Sequence, residues 1–289
     1  MTKNPAESPG VRPADMTVVV PVHDAVEDTG RCLQSLADTL PGQAPVLVID
    51  DASPNTATRD LLARWDAGTG PHWRFAGNPV NRGFVATVNR GIRMTRGDVV
   101  LLNSDTVTTP GWYQGLQRCL ASDPDIATAT PWTNNGEIAS IPEFCVDNAM
   151  PPDLAAVARV IAGCETPAYP ELPTAVGFCM AVSRSAIERI GPFDEALFGR
   201  GYGEENDFSM RAASEGMRNV LCDDVYVAHR GGRSFGPLGL RPDEQSMQRL
   251  LSRHPAYLDQ VRAFIEADPL AERRRALLLA LEGAGVAMG

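Results

Sequence analysis

The sequence predicts an α/β fold, a mostly parallel sheet flanked by helices, with a C-terminal helical extension. Three observations carry this. Short β-branched runs recur through the first hundred residues, helical patterns separate them, and three of the runs end in polar, oxygen-rich residues. Continuous apolar runs mark strands buried on both faces, and strands alternating with helices mark parallel βαβ units.

The elements follow in order. "MTVVVPV" (16–22) is a doubly buried strand, and "DTGRCLQSLADTL" then places Cys32, Leu33, Leu36 and Leu40 at helical spacing. "APVLVIDDAS" (44–53) is a second strand, ending on Asp50 and Asp51. Leu61, Leu62 and Trp65 share a face of the next helix, "HWRFAG" is a third strand, "GFVATVNRGIRMT" (83–95) is helical, and "DVVLLNSD" (98–105) is a fourth strand. In open α/β sheets ligands bind beyond the carboxyl ends of strands, so "PVHD", "DDAS" and "NSDT" are expected to converge on one side. Farther on, "ATATPWTNNGEIASIP" reads as a strand and loop, and residues 142–173 as a Pro-rich loop serving as lid or acceptor loop. "AVGFCMAVSRSAIERIG" gives a strand and short helix, "EENDFSMRAASEG" a helix, and "NVLCDDVYVAHR" a strand ending on His229. Leu251, Tyr257, Leu258, Val261, Phe264 and Ile265 point to helices from Gln248 onward.

Composition narrows the function. The formal charge is −10, with 26 basic and 36 acidic residues, which excludes general nucleic-acid binding, since that needs clustered Lys and Arg. Phosphates would have to be held locally, by a metal or a few basic groups. Six cysteines (Cys32, Cys119, Cys145, Cys164, Cys179, Cys222) form no CxxC pair and match no zinc spacing, so they read as buried or free thiols in a reducing, cytoplasmic setting. The Pro-bearing start lacks the apolar core of a signal peptide and reads as a disordered leader. The tail 276–289 is the nearest approach to a membrane span, but it is short and contains Glu282. "AERRRALLLALEGAG" reads as a helix covering its own domain, with contact to a membrane face or to a partner chain, including a homodimer, as alternatives.

Three places carry chemistry. Asp105 ends a strand beside Asn103 and Ser104; alone it reads as a turn residue, but hard cations bind through one or two carboxylates plus substrate phosphates. His229 precedes Arg230, two glycines, Arg233 and Ser234. Imidazole ligates divalent metals, and a glycine pair lets backbone N–H groups approach an anion. Glu204, Glu205 and Asp207 crowd a helix start. They either cap the helix dipole or supply a general base, because crowded carboxylates raise one another's pKa.

The order of "VVVPVHD", "VIDDAS", "NRGFVATVNRG", "LLNSDTVTTPGW", "VGFCMAVSR", "IGPFDEALFGRGYGEENDFSMRA" and "VAHRGGRSF" resembles the family 2 glycosyltransferases of GT-A fold, over about residues 16–235. The resemblance implies a Rossmann-like sheet and an inverting transfer of a sugar from a nucleotide diphosphate sugar to an acceptor hydroxyl, aided by Mg²⁺ or Mn²⁺. It divides the chain into a leader (1–15), a catalytic domain (16–240, split at 110 into nucleotide and acceptor halves) and a helical extension (241–289). Pro21, Val22, His23, Asp50, Asp51, Arg82, Asn103, Ser104 and Asp105 would bind the donor. Asp105 and His229 would hold the metal, and Glu205 would act as base with Glu204 as competitor. Asn134, Asn135, Trp132, Gly177, Asp207, Arg233 and Ser234 would meet substrate, with Trp132 stacking on a sugar ring and the two asparagines alternatively forming a turn. The acceptor would be a saccharide, lipid-linked or small molecule in bacterial polysaccharide or natural-product assembly. Two departures stand out: Asn103 replaces the first Asp of the family's Asp-x-Asp metal motif, and Glu205 stands where an Asp is usual. Asn103 favours a rival reading, a non-catalytic sugar-nucleotide-binding protein on this fold. A nucleotidyltransferase or a dehydrogenase would need a glycine-rich loop after the first strand, which "PVHDAVEDTG" lacks.

Overall fold

The computed structural model describes residues 16–231 and 244–289. The leader 1–15, the proposed boundary at 240, and Arg233 and Ser234 lie outside these residues. The elements run β1 (Thr17–Val22), α1 (Val26–Thr39), β2 (Val46–Asp50), α2 (Thr56–Gly68), β3 (Trp73–Gly77), α3 (Phe84–Arg93), β4 (Val99–Leu102), β5 (Thr106–Val107) and α4 (Trp112–Ser122). They continue with β6 (Ile126–Trp132), a 3₁₀ turn (Glu137–Ala139), α5 (Leu154–Cys164), β7 (Cys179–Val182), α6 (Arg184–Ile190), α7 (Glu195–Phe198) and α8 (Glu204–Ser214). β8 (Arg218–Tyr226), β9 (Ala228–His229), α9 (Glu244–Arg253), α10 (Tyr257–Ala267) and α11 (Ala271–Gly283) complete the order.

The main sheet has the order β3-β2-β1-β4-β7-β6-β8. β1 pairs in parallel with β2 and β4, and β2 with β3. β7 alone runs against both its neighbours, β4 and β6, while β6 and β8 are parallel. Alternation along β1 explains its unbroken apolar run: Val18, Val20 and Val22 pack on the face covered by α1 and α4, and Val19 packs on the face covered by α3 and α8. Gly91 lets α3 lie close against β1, because a Cβ there would meet Val19 Cγ1 at 2.5 Å.

Two readings of the second half change. Residues 142–173, expected as loop, contain α5, capped by Asp153, which accepts from Ala156 N–H at 2.9 Å. Its alanines blur the helical period, since Val157 and Ile161 are the only large residues on its buried face. The strand expected to run to His229 instead breaks after Tyr226, and β9 leaves the main sheet to pair with β5. At the C-terminus, Leu277 and Leu281 of α11 are buried in one cluster with Val157 and Ile161 of α5. Arg273 reaches Asp223 at 2.7 Å and so ties α11 to β8. Leu250 of α9 lies in the same cluster as Phe198 and Phe208. Among the described residues, no helix is long and apolar enough to cross a membrane.

Candidate active site

The carboxyl ends of β1, β2 and β4 open on one cleft of about 430 Å³. Pro21, Val22 and His23 line it from β1, Asp51 from β2, and Asn103, Ser104 and Asp105 from β4. Asp51 is 4% exposed. Its Oδ1 accepts from Asn78 Nδ2 (2.7 Å) and Arg82 N–H (2.8 Å), and its Oδ2 from Gly83 N–H (2.8 Å). Burial works against its charge, but these donors outweigh burial and hold the carboxyl below its usual range. Gly83, at φ 85°, opens α3 where a Cβ would lie 2.7 Å from Arg200 Cα. The His23 ring lies 3.1 Å from the Asp51 carbonyl and 3.1 Å from Asn81 Nδ2, and Arg200 donates to Asn81 Oδ1.

Two residues expected at the donor are engaged elsewhere. Asp50 lines neither cleft described here; its Oδ1 accepts from Ser53 N–H at 3.0 Å and shapes the turn after β2. The Arg82 side chain lies 3.7 Å from Glu195, and its backbone N–H donates to Asp51.

The β5–β9 ribbon builds the centre. It sets Thr106 opposite His229, and Arg230 N–H donates to the Asp105 carbonyl at 2.9 Å. Asp105 Oδ2 and His229 Nε2 are thereby 3.4 Å apart. His229 Nδ1 lies 2.6 Å from the Asn135 carbonyl, so Nδ1 carries the proton and Nε2 faces Asp105. The Phe178 ring stacks on the imidazole at 5.3 Å. Gly231 covers the ring closely, since a Cβ there would sit 2.9 Å from His229 Cε1. Burial opposes both charges, yet the Asp105–His229 hydrogen bond outweighs it, lowering the Asp105 pKa and raising that of His229. Among the described residues no group of three or more His, Cys, Asp or Glu could surround a cation. One carboxylate oxygen and, once Nε2 gives up its proton, one imidazole nitrogen fit a cation whose remaining ligands are substrate phosphates and water.

A second cleft, of about 380 Å³, meets the first. Phe84, Asn103 and Arg200 line both. Asp105 belongs to the first and His229 to the second, so the 3.4 Å pair stands at the seam. The far wall is the turn before α8, where Gly201, Tyr202 and Gly203 all have positive φ (139°, 75° and 96°). Tyr202 is 58% exposed; Glu204 is 5% exposed, and its Oε2 has no partner. Burial, and then the charge of Glu205, push the Glu204 carboxyl well above its usual range. Burial likewise raises Glu205, partly offset by the backbone N–H groups of Glu205 and Gly203. Gly177 lines this cleft against Glu205, whose Cγ would be 3.8 Å from an added Cβ. Glu137 opens toward solvent on the same cleft. Desolvation by the cleft walls, with the charges of Glu205 and Asp147, pushes its carboxyl up to about 7.

Three expected substrate contacts are placed elsewhere. Trp132 is fully buried and donates its indole N–H to the Asp223 carbonyl (3.2 Å), so no ring face is open to a sugar. Asn134 accepts from His229 N–H (2.9 Å) and donates to the His229 carbonyl (3.0 Å), which makes it a brace for the ribbon. Asp207 is fully buried and accepts from Arg211 (2.8 Å), Arg253 (3.0 Å) and His254 (2.9 Å), pinning α8 to the C-terminal end of α9. Asn135 does line the second cleft. Asn81, Glu137, Arg200 and Tyr202 line the clefts without having been singled out. Asn81 adjoins the chosen Arg82, and Arg200 stands in the quoted "FGRGYGEEN"; neither spacing nor type marks which neighbour faces inward.

A mostly parallel sheet whose strand tips, carboxylate–imidazole pair and acidic turn share one groove defines a GT-A glycosyltransferase. Residues 17–191, more than half the chain, match the Glycosyl transferase family 2 profile, and the chain belongs to that family. It is 27% identical over 114 residues to the "Uncharacterized glycosyltransferase YibD" of Escherichia coli strain K12, a match covering 39% of this chain and about a third (32%) of that relative. Two solved structures share the fold. The crystal structure of GalNAc-T7 with UDP, GalNAc and Mn²⁺ aligns at TM-score 0.63 and 13% identity, over 92% of this chain and 54% of that one. The mannosyltransferase PcManGT of Pyrobaculum calidifontis, in complex with GDP-Man and Mn²⁺, aligns at 0.55 and 20%, over 98% and 84%.

Proposed function

We propose that the chain is an inverting glycosyltransferase that moves a sugar from a nucleotide diphosphate sugar to an acceptor hydroxyl, in polysaccharide or natural-product glycoside assembly. The observation that carries this reading is the seam. Asp105 and His229 stand 3.4 Å apart, one lining the cleft at the strand tips and the other the cleft that holds Glu204 and Glu205. Asp51, His23, Asn81 and Arg200 would frame the nucleotide. A bound Mg²⁺ or Mn²⁺, held by Asp105 and His229, would neutralise charge developing on the departing diphosphate. The ions and nucleotides in the two solved relatives support this choice of cofactor and donor class.

Glu205 would take the acceptor proton as the hydroxyl oxygen attacks the anomeric carbon. Its raised pKa suits a base working near neutrality. Gly177, having no side chain, leaves the space beside Glu205 open; an added Cβ would come to 3.8 Å from its Cγ. Glu204, shut in and lacking a partner at Oε2, would orient a substrate hydrogen-bond donor. The burial of Leu277 and Leu281 supports a domain-covering role for α11 over contact with a membrane or a second copy. Free thiols on an acidic chain support a cytoplasmic setting.

A thermal-shift screen of nucleoside diphosphates and their sugars, with and without Mn²⁺, tests the reading. A rise in melting temperature that needs both nucleotide and ion is expected. No response to any nucleotide would count against it.

A further inference from the structure

We propose that the second cleft takes an acceptor bearing a protonated amine, such as an amino sugar, with Glu137 and Glu204 gripping the ammonium group beside the base Glu205. The inference rests on the glycosyltransferase reading of the cleft and adds the chemical class of the acceptor.

The first ground is an unmet acceptor. Glu204 is 5% exposed, lines the cleft, and its Oε2 has no hydrogen-bond partner. A buried acceptor left unpaired is costly, more so when charged, so a ligand that donates to it removes that cost. The second ground is charge. Three carboxyls line the cleft, and Asp147 acts on Glu137 from nearby. Against them stand His229, engaged with Asp105, and Arg200, whose guanidinium donates to Asn81 on the first cleft. A sugar hydroxyl offers a single neutral donor. An ammonium offers three donors and a full positive charge, so it can donate to Glu137 and Glu204 together and favours the ionised forms that burial opposes.

The third ground is shape. Tyr202 is 58% exposed in the left-handed region beside these carboxyls, where an aromatic face attracts a cation. A phosphate or diphosphate beside the attacking hydroxyl would face these carboxyls and is disfavoured there relative to an ammonium.

The test uses the full chain and three matched probes at neutral pH: methyl glucosaminide, its N-acetyl counterpart and methyl glucoside, titrated by ligand-observed NMR. The ammonium probe should bind roughly tenfold tighter than either neutral one, the size of one charge-assisted contact. Glu204→Gln and Glu137→Gln should each reduce that advantage about threefold. Glu137→Lys, on the open side of the cleft where a folding defect is not expected, should reverse it. Equal affinity for the three probes, tighter binding of a neutral one, or no binding of the ammonium probe overturns the proposal. UDP, GDP and dTDP with Mg²⁺ are titrated in the same samples to read the first cleft. Nucleotide binding beside a cleft blind to the ammonium refutes this proposal alone, whereas loss of nucleotide binding counts against the donor site.

Discussion

Asp51 and Glu204 are almost equally shut away from solvent, at 4% and 5% exposure, yet their surroundings differ sharply. Asp51 sits among backbone and amide donors that hold it ionised, while Glu204 has an oxygen with no donor and a pKa pushed upward. The strand-tip cleft is therefore complete on its own, its carboxylate fixing the entry to α3. The cleft before α8 keeps one buried carboxyl oxygen without a partner. Satisfied carboxylates hold backbone in place; unsatisfied ones are the reactive or binding groups.

Substitutions can break this contrast. The largest effect is expected at Glu205. Glu205→Gln should lower transfer by about 10²–10⁴-fold, the usual cost of losing a positioned base, while nucleotide affinity measured by calorimetry stays near wild type. Next comes Asp207, which accepts from Arg211 within α8, from Arg253 at the end of α9 and from His254 just after it. Asp207→Ala should cost about 3 kcal/mol in denaturant unfolding, since it strands partly buried positive groups. Asp105→Ala should weaken Mn²⁺-dependent nucleotide binding by at least the roughly 10–100-fold seen on losing an outer-shell partner, with metal-free nucleotide binding little changed.

The smallest expected effect sharpens the comparison through pH. The folded-state pKa of Glu204 is raised, so the folded protein holds its proton more tightly than the unfolded chain does. Its contribution to stability is fully present below the ordinary carboxylate range and is lost as pH rises through the folded value. Glu204→Gln should therefore melt higher than wild type at about pH 8, by roughly 2–4 °C per kcal/mol recovered, with the gap closing in acid. Asp51 has the opposite sign. Its lowered pKa gives stability that is present at neutral pH and lost as pH falls through the folded value, so Asp51→Asn should lose its penalty in acid.

The sheet was legible because β1, β2 and β4 are buried on both faces and write that burial as unbroken Val, Ile and Leu. Asp105 and His229 were legible because Asp105 lies in the turn after β4 and His229 ends β9, and pairing of β5 with β9 makes them neighbours. α5 was hidden by its alanines, and the inward-facing Asn81 by the more conspicuous Arg82 beside it. Trp132 shows the reverse failure, an aromatic in a loop-like motif that the fold spends on its core. Glu137 was illegible for another reason: its influence comes from Glu205, 68 positions away, and from Asp147, which only the folded chain brings near.

A crystal of the chain grown with Mn²⁺ and a nucleoside diphosphate, measured at the manganese absorption edge, tests most directly that the two clefts form one site. The account predicts an anomalous peak within coordination distance of Asp105 and His229, with the diphosphate over the tips of β1 and β4. Manganese and diphosphate bound away from that pair would contradict it.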